Sequence, residues 1–125
     1  MSGRALALST GLLAVLVPAA AAHRLQTLEA IPAAFHGEWA ADPAWCGSGD
    51  NDDRLIIGPQ RWQTYESMGT VRTVVAAGPR RLVLVIDSEG EGERWQDTVL
   101  VHLDRRGRLH LPEAAVAPVR QRCGH

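Results

Sequence analysis

The chain has 125 residues, a formal net charge of −1, and thirteen basic residues that are all arginine. A Walker P-loop, a Schiff-base lysine and a Ser-x-x-Lys nucleophile each need lysine, so all three are excluded. No G-x-S-x-G elbow occurs, and arginines scattered along a near-neutral chain argue against nucleic acid as a partner.

Residues 1–22 read as an export signal. Arg4 supplies the positive n-region, 5–17 is an apolar run, Pro18 breaks it, and four alanines at 19–22 offer a cleavage site. The run is shorter than the roughly 20 apolar residues of a spanning helix. No cysteine follows the alanines to carry a lipid, so no stable membrane anchor is expected after cleavage. Cleavage after Ala21 or Ala22 is expected to leave one domain at 23–125.

Leu25, Leu28 and Ile31 have helical spacing and Pro32 ends the run, which predicts a short N-terminal helical turn. From Gly37 the pattern becomes β, with strands expected at 37–41, 54–57, 61–67, 70–77, 81–87, 93–103, 108–111 and 119–123. Gly and Pro mark the connections between them. These connections are too short for parallel crossovers, so neighbours pair antiparallel. The expected fold is all-β: a small antiparallel up-and-down barrel of about eight strands.

One hairpin has a readable register. Asp104-Arg105-Arg106-Gly107-Arg108 fits a three-residue loop with Gly in the left-handed position. Leu103 then faces Leu109 and Val101 faces Leu111 on the core side, while His102 faces His110 outside. The strands at 71–77 and 82–86 are apolar on both faces, which requires a cover from a helix, a loop or a partner; Ala117 and Val119 are candidates for part of it.

Cys46 and Cys123 are the only cysteines. In an exported chain they are expected to form a disulfide, which implies an oxidising compartment, periplasmic or secreted. Closing so long a loop removes about 4–5 kcal/mol of unfolded-state entropy.

Other constellations carry less. Asp50, Asp52 and Asp53 suggest calcium, but Arg54 and Leu55 occupy the fifth and sixth loop positions and the EF-hand pattern fails. His102 and His110 give two potential zinc ligands and no evident third, with His36 and His125 unplaced. Glu66, Asp87, Glu89, Glu91, Glu93 and Asp97 single out no acid–base pair. No catalytic residue, metal ligand or cofactor is therefore assigned. Of the four tryptophans, Trp39 suits the core and Trp45 the surface. Trp45, Trp62, Tyr65, Ser67 and Met68 are the candidate ligand or partner contacts.

The segment Phe35-His36-Gly37-Glu38-Trp39 resembles the G-x-W motif that opens lipocalin-like (calycin) barrels. The resemblance implies a tryptophan packed at a closed barrel end beneath an arginine from near the last strand, here Arg120 or Arg122. A barrel this small is filled by its own side chains rather than by a lipid. The succession Ile31-Pro32-x-x-Phe35-x-Gly37-x-Trp39, Cys46, Tyr65-Glu66-Ser67-x-Gly69, Gly90-Glu91-Gly92-Glu93-x-Trp95 and Arg122-Cys123 resembles a group of small exported bacterial proteins. That implies fold and compartment and adds no activity. The architecture is also similar to periplasmic lysozyme-inhibitor barrels, whose Ser-Gly-x-x-Tyr loop is absent here.

The expected function is a non-catalytic binding module for a protein, a glycan or a small apolar molecule. The alternatives are an inhibitor of a secreted hydrolase such as lysozyme, inserting Ser67-Met68-Gly69 or the 50–53 loop, and an enzyme of unrecognised type. A small-ligand binder requires an apolar cavity, an inhibitor a filled barrel with a projecting element, and an enzyme carboxylates of raised pKa in a cleft.

Overall fold

A computed structural model describes residues 3–14, 24–47 and 52–124. Its strands are β1 (Leu25–Leu28), β2 (Gly37–Ala40), β3 (Leu55–Ile57), β4 (Arg61–Gln63), β5 (Met68–Ala77), β6 (Arg81–Gly90), β7 (Glu93–Leu103), β8 (Leu109–His110) and β9 (Val119–Arg122). Two 3-10 turns, Ala33–Phe35 and Pro43–Trp45, are the only helical pieces among the described residues. The expected signal-cleavage site and most of the 47–53 turn lie outside those residues.

Each strand from β2 to β9 pairs antiparallel with the next. The ring closes where β9 returns to β2, with Trp39 opposite Arg122 and Ala40 opposite Gln121. The result is an eight-stranded up-and-down barrel. The closing seam is only two pairs long, and a Cys46–Cys123 disulfide fastens it. Cys123 is also held there by its backbone N–H, which donates to the Glu38 carbonyl at 2.8 Å.

The N-terminal segment differs from expectation. Leu25–Leu28 forms a strand on β5, with Leu25 opposite Ala77 and Leu28 opposite Val74; the helical turn comes later, at Ala33–Phe35. The cause lies in β5. Its first residues pair with β4 only from Met68 to Thr70, leaving the Val74–Ala77 edge with backbone groups to satisfy. β1 supplies the partners, and its alternation turns Leu28 toward the core.

The β7–β8 hairpin has the expected register, with His102 opposite His110 and Leu103 opposite Leu109. Asp104 closes the loop: its N–H donates to the Arg108 carbonyl at 3.0 Å, and Gly107 adopts φ +78°. Val101, Leu109 and Leu111 are buried in the core. The outward Val75, Val83 and Val85 of the doubly apolar strands are half-buried.

Alternation sorts the connections. Turns 58–60, 78–80 and 104–108 lie at one barrel end, and connections 64–67, 91–92 and 111–118, with the described parts of the β2–β3 connection, at the other. β6 and β7 are the longest neighbours, and β7 meets β8 only at His102 and Leu103. The far half of the β6–β7 pair therefore continues as a ribbon past the end of β8.

Candidate functional site

The barrel interior holds protein. Trp39, Phe35, Leu55, Leu84, Ile86 and Leu109 are fully buried inside it. At one end Trp39 Nε1 donates to the Phe35 carbonyl at 3.0 Å, and the Arg122 guanidinium lies 4.3 Å from the Trp39 ring centroid. Arg122 also donates to the carbonyls of Ala34 and His36. Arg120, the other candidate for this position, instead donates to the Asp53 carbonyl at 2.6 Å.

The ribbon end gathers most of the expected contact residues. Thr64 and Ser67 lock the β4–β5 turn through their hydroxyls at 2.7 Å and through the Ser67 N–H, which donates to Thr64 Oγ1 at 3.1 Å. The tip of the ribbon rests on this turn: a Cβ on Gly90 would collide with the Glu66 carbonyl. Tyr65 and Met68 are 53% and 45% exposed here. Met68 shares an open basin of about 470 Å³ with Arg72, Asp87, Arg94 and Trp95.

Trp62 is a correction. It is only 7% exposed, because it sits opposite Ile57 on the inward row and packs into the core. Trp95 takes the surface role instead, 39% exposed with its indole N–H donating to Asp97 at 2.7 Å. Trp95 occupies an inward register position, opposite Ser88, but β8 no longer flanks β7 there. Trp45 is exposed on the 3-10 turn next to the disulfide, away from β4 and β5 in the sheet order.

The carboxylates of the ribbon end are engaged or solvated. Asp87 accepts from Arg72 Nε at 2.7 Å and from Gln96 Nε2 at 2.9 Å. Those hydrogen bonds, the one from Gln96 foremost, hold its carboxyl below the ordinary range.

The other end is basic. Arg80, Arg81 and Arg105 border one open basin of about 670 Å³ beside Gly78 and Pro79. A second recess, about 330 Å³, begins on the other side of Gly78 and Pro79 and is lined by Arg24, Leu28, Pro32, Ala76 and Leu82. Close by, the His102 and His110 rings stack with centroids 4.4 Å apart. His110 Nε2 lies 2.8 Å from Asp104 Oδ2, which also accepts from Arg108 Nε at 2.9 Å. Burial, then the neighbouring His110 and Arg81, push the His102 pKa down. Among the described residues, no three His, Cys, Asp or Glu side chains converge to hold a metal ion.

Arg24, Arg80, Arg81 and Arg105, spread along the sequence, are thus gathered in space, because turns two connections apart share a barrel end. No family model, curated protein or solved structure matches the chain.

Proposed function

We propose that the protein is a non-catalytic binding module of the periplasm or the secreted compartment, and that it engages a protein partner through its ribbon end. The observation that carries this reading is the outer edge of β7, which runs on past the end of β8 beside a filled barrel. Among the described residues, Trp39, Phe35, Leu55, Leu84, Ile86 and Leu109 fill the interior, which favours surface contact over enclosure. The disulfide supports an oxidising compartment, and no helix among the described residues is long and apolar enough to cross a membrane.

The ribbon carries a usable edge. Leu103 N–H donates to the Arg80 carbonyl on the β6 side, and Asp104 N–H to Arg108 on the β8 side. In an antiparallel strand these directions alternate. Arg94, Gln96, Thr98 and Leu100 therefore aim their N–H and C=O groups away from β6, where β8 no longer reaches. Such an edge accepts an added strand from a partner, with alternate side chains giving specificity. Trp95 on the same strand shares a basin with Met68, and both are residue types that anchor interfaces.

A second reading, an inhibitor of a secreted hydrolase, is favoured by charge. Glu66, Asp87, Glu89, Glu91, Glu93 and Asp97 crowd the ribbon end and outnumber its basic neighbours Arg54, Arg72 and Arg94, a field suited to a basic enzyme. The inserted element would be the ribbon rather than Ser67-Met68-Gly69, since Gly69 is buried within β5. An enzymatic role finds less support: Asp87 and Asp104 both have lowered pKa values, the opposite of what a general acid needs. The Arg122–Trp39 stacking supports the lipocalin-like resemblance as a statement about fold.

Affinity capture from the exported fraction tests the reading with two variants. Thr98→Pro removes an outward N–H without touching the β6 ladder, and Trp95→Ala removes the anchor. A partner held by the wild type and lost by both folded variants is the expected result. A partner held equally by all three defeats the ribbon reading, and a stoichiometric bound lipid in its place defeats the protein-partner reading. Inhibition of a lysozyme by the wild type but not by Trp95→Ala would select the second reading.

A further inference from the structure

We propose that the arginine end of the barrel docks on anionic phospholipid headgroups at a bilayer surface. The argument starts from an electrostatic imbalance. Arg24, Arg80, Arg81, Arg105 and Arg106 are exposed, and none of them is in an ion pair among the described residues. The two turns that carry three of them, with Arg81 directly following the first, contain one carboxylate, Asp104. That carboxylate is already occupied by Arg108, by His110 and by the backbone N–H groups of Arg106 and Arg108. Like charges held together without counter-charge leave a positive field at this end.

The field belongs to guanidinium groups, which bind phosphate oxygens through paired N–H donors. It also sits beside apolar surface. The recess behind Arg24 is lined by Leu28, Pro32, Ala76 and Leu82, and Leu25 is 72% exposed at the start of the same strand. Positive charge next to apolar side chains suits the boundary between headgroup and acyl chain. Nucleic acid fits less well: no Trp, Tyr or Phe borders either basin to stack a base.

The site is on the opposite end from the ribbon and does not depend on the proposed protein partner. The test is partition of the exported protein between buffer and vesicles of phosphatidylglycerol or of phosphatidylcholine. The ratio of the two partition coefficients isolates the charge term from any apolar segment that inserts in both. Each of Arg80→Gln, Arg81→Gln and Arg105→Gln is expected to lower that ratio about fivefold, and the triple variant about 100-fold. Arg72→Gln at the other end is expected to leave it unchanged, and about 1 M salt, with a screening length near 3 Å, to abolish it. Circular dichroism confirms that each variant is folded. No preference for phosphatidylglycerol, or a preference that the triple variant retains, overturns the proposal. So does tighter binding to a single-stranded oligonucleotide than to vesicles, which would assign the face to nucleic acid. Equal affinity for monomeric short-chain phosphatidylglycerol overturns it too, by making the recess a single-molecule site.

Discussion

Opening the Cys46–Cys123 bond should remove a large part of the protein's margin of stability. The two residues are 77 apart in sequence, so the bond forbids the unfolded chain a large loop. The chain-entropy relation gives about 4.5 kcal/mol at 25 °C for a loop of that size. A small domain has about 5–15 kcal/mol in all. Cys46→Ala is the cleanest perturbation, because Cys46 is half-exposed and its loss leaves little cavity. Cys123 would remain as a buried thiol, which behaves as a small hydrophobe. The barrel itself should still form, since Cys123 keeps its backbone bond to Glu38 and the seam keeps both strand pairs. Urea unfolding of the oxidised wild type, the reduced wild type and Cys46→Ala measures the effect. With m of about 1–3 kcal/mol/M, the midpoint should fall by about 1.5–4.5 M, equally for the last two. A loss below about 1 kcal/mol in both would refute the reasoning. A much larger loss in the variant than in the reduced protein would also refute it, because the cost would then lie in the native packing.

Gly69→Ala should destabilise by about 1–3 kcal/mol in thermal unfolding, because its Cβ would lie 2.6 Å from Ile86 Cγ2 and 2.7 Å from the Trp62 carbonyl. Arg122→Gln should cost about 1–3 kcal/mol and shift Trp39 emission, through loss of the stacked guanidinium and of its bonds to Ala34 and His36. His102 has a pKa below its ordinary 6.5 in the folded state, so its contribution is present above 6.5 and declines as pH falls through the folded value. His102→Asn should flatten the thermal midpoint against pH in that window. Asp104 is also depressed, foremost by its hydrogen bond from His110, so its contribution persists above about pH 3.8 and is lost on further acidification. Asp104→Asn should make the acid limb shallower.

Where local chemistry and side-chain alternation agree, the structure was legible in the sequence. The 104–108 loop is the clearest case: Gly107 fixes the turn, and Val101, Leu103, Leu109 and Leu111 permit only one register. The cysteine pair was legible for a similar reason, since two thiols behind a sequence that reads as an export signal have few other uses. β1 was not legible. Leu25, Leu28 and Ile31 fit a helix, and the deciding fact is an edge of β5 some fifty residues away that β4 fails to cover. Trp62 and Trp95 make the same point about the site. Both occupy inward register positions, opposite Ile57 and Ser88. Only the point at which β8 stops decides that one is buried and the other presented.

Net charge was the least informative number in the sequence, and the topology explains why. In an up-and-down barrel consecutive connections go to opposite ends, so charges on alternate turns add and those on successive turns separate. The 78–80 and 104–108 turns carry arginine, while the 64–67 turn and the ribbon carry six of the fourteen carboxylates. The sum is −1, yet arginines unpaired among the described residues gather at one end and the ribbon carboxylates at the other. A partner drawn to one end is then repelled by the other, so the ribbon and the arginine face should act as independent sites. Trp95→Ala combined with Arg80→Gln should lower partner capture and vesicle partition by the same factors as the single variants. Departure from that product would mean that the two ends meet one ligand, and would reject the assignment of a separate partner to each.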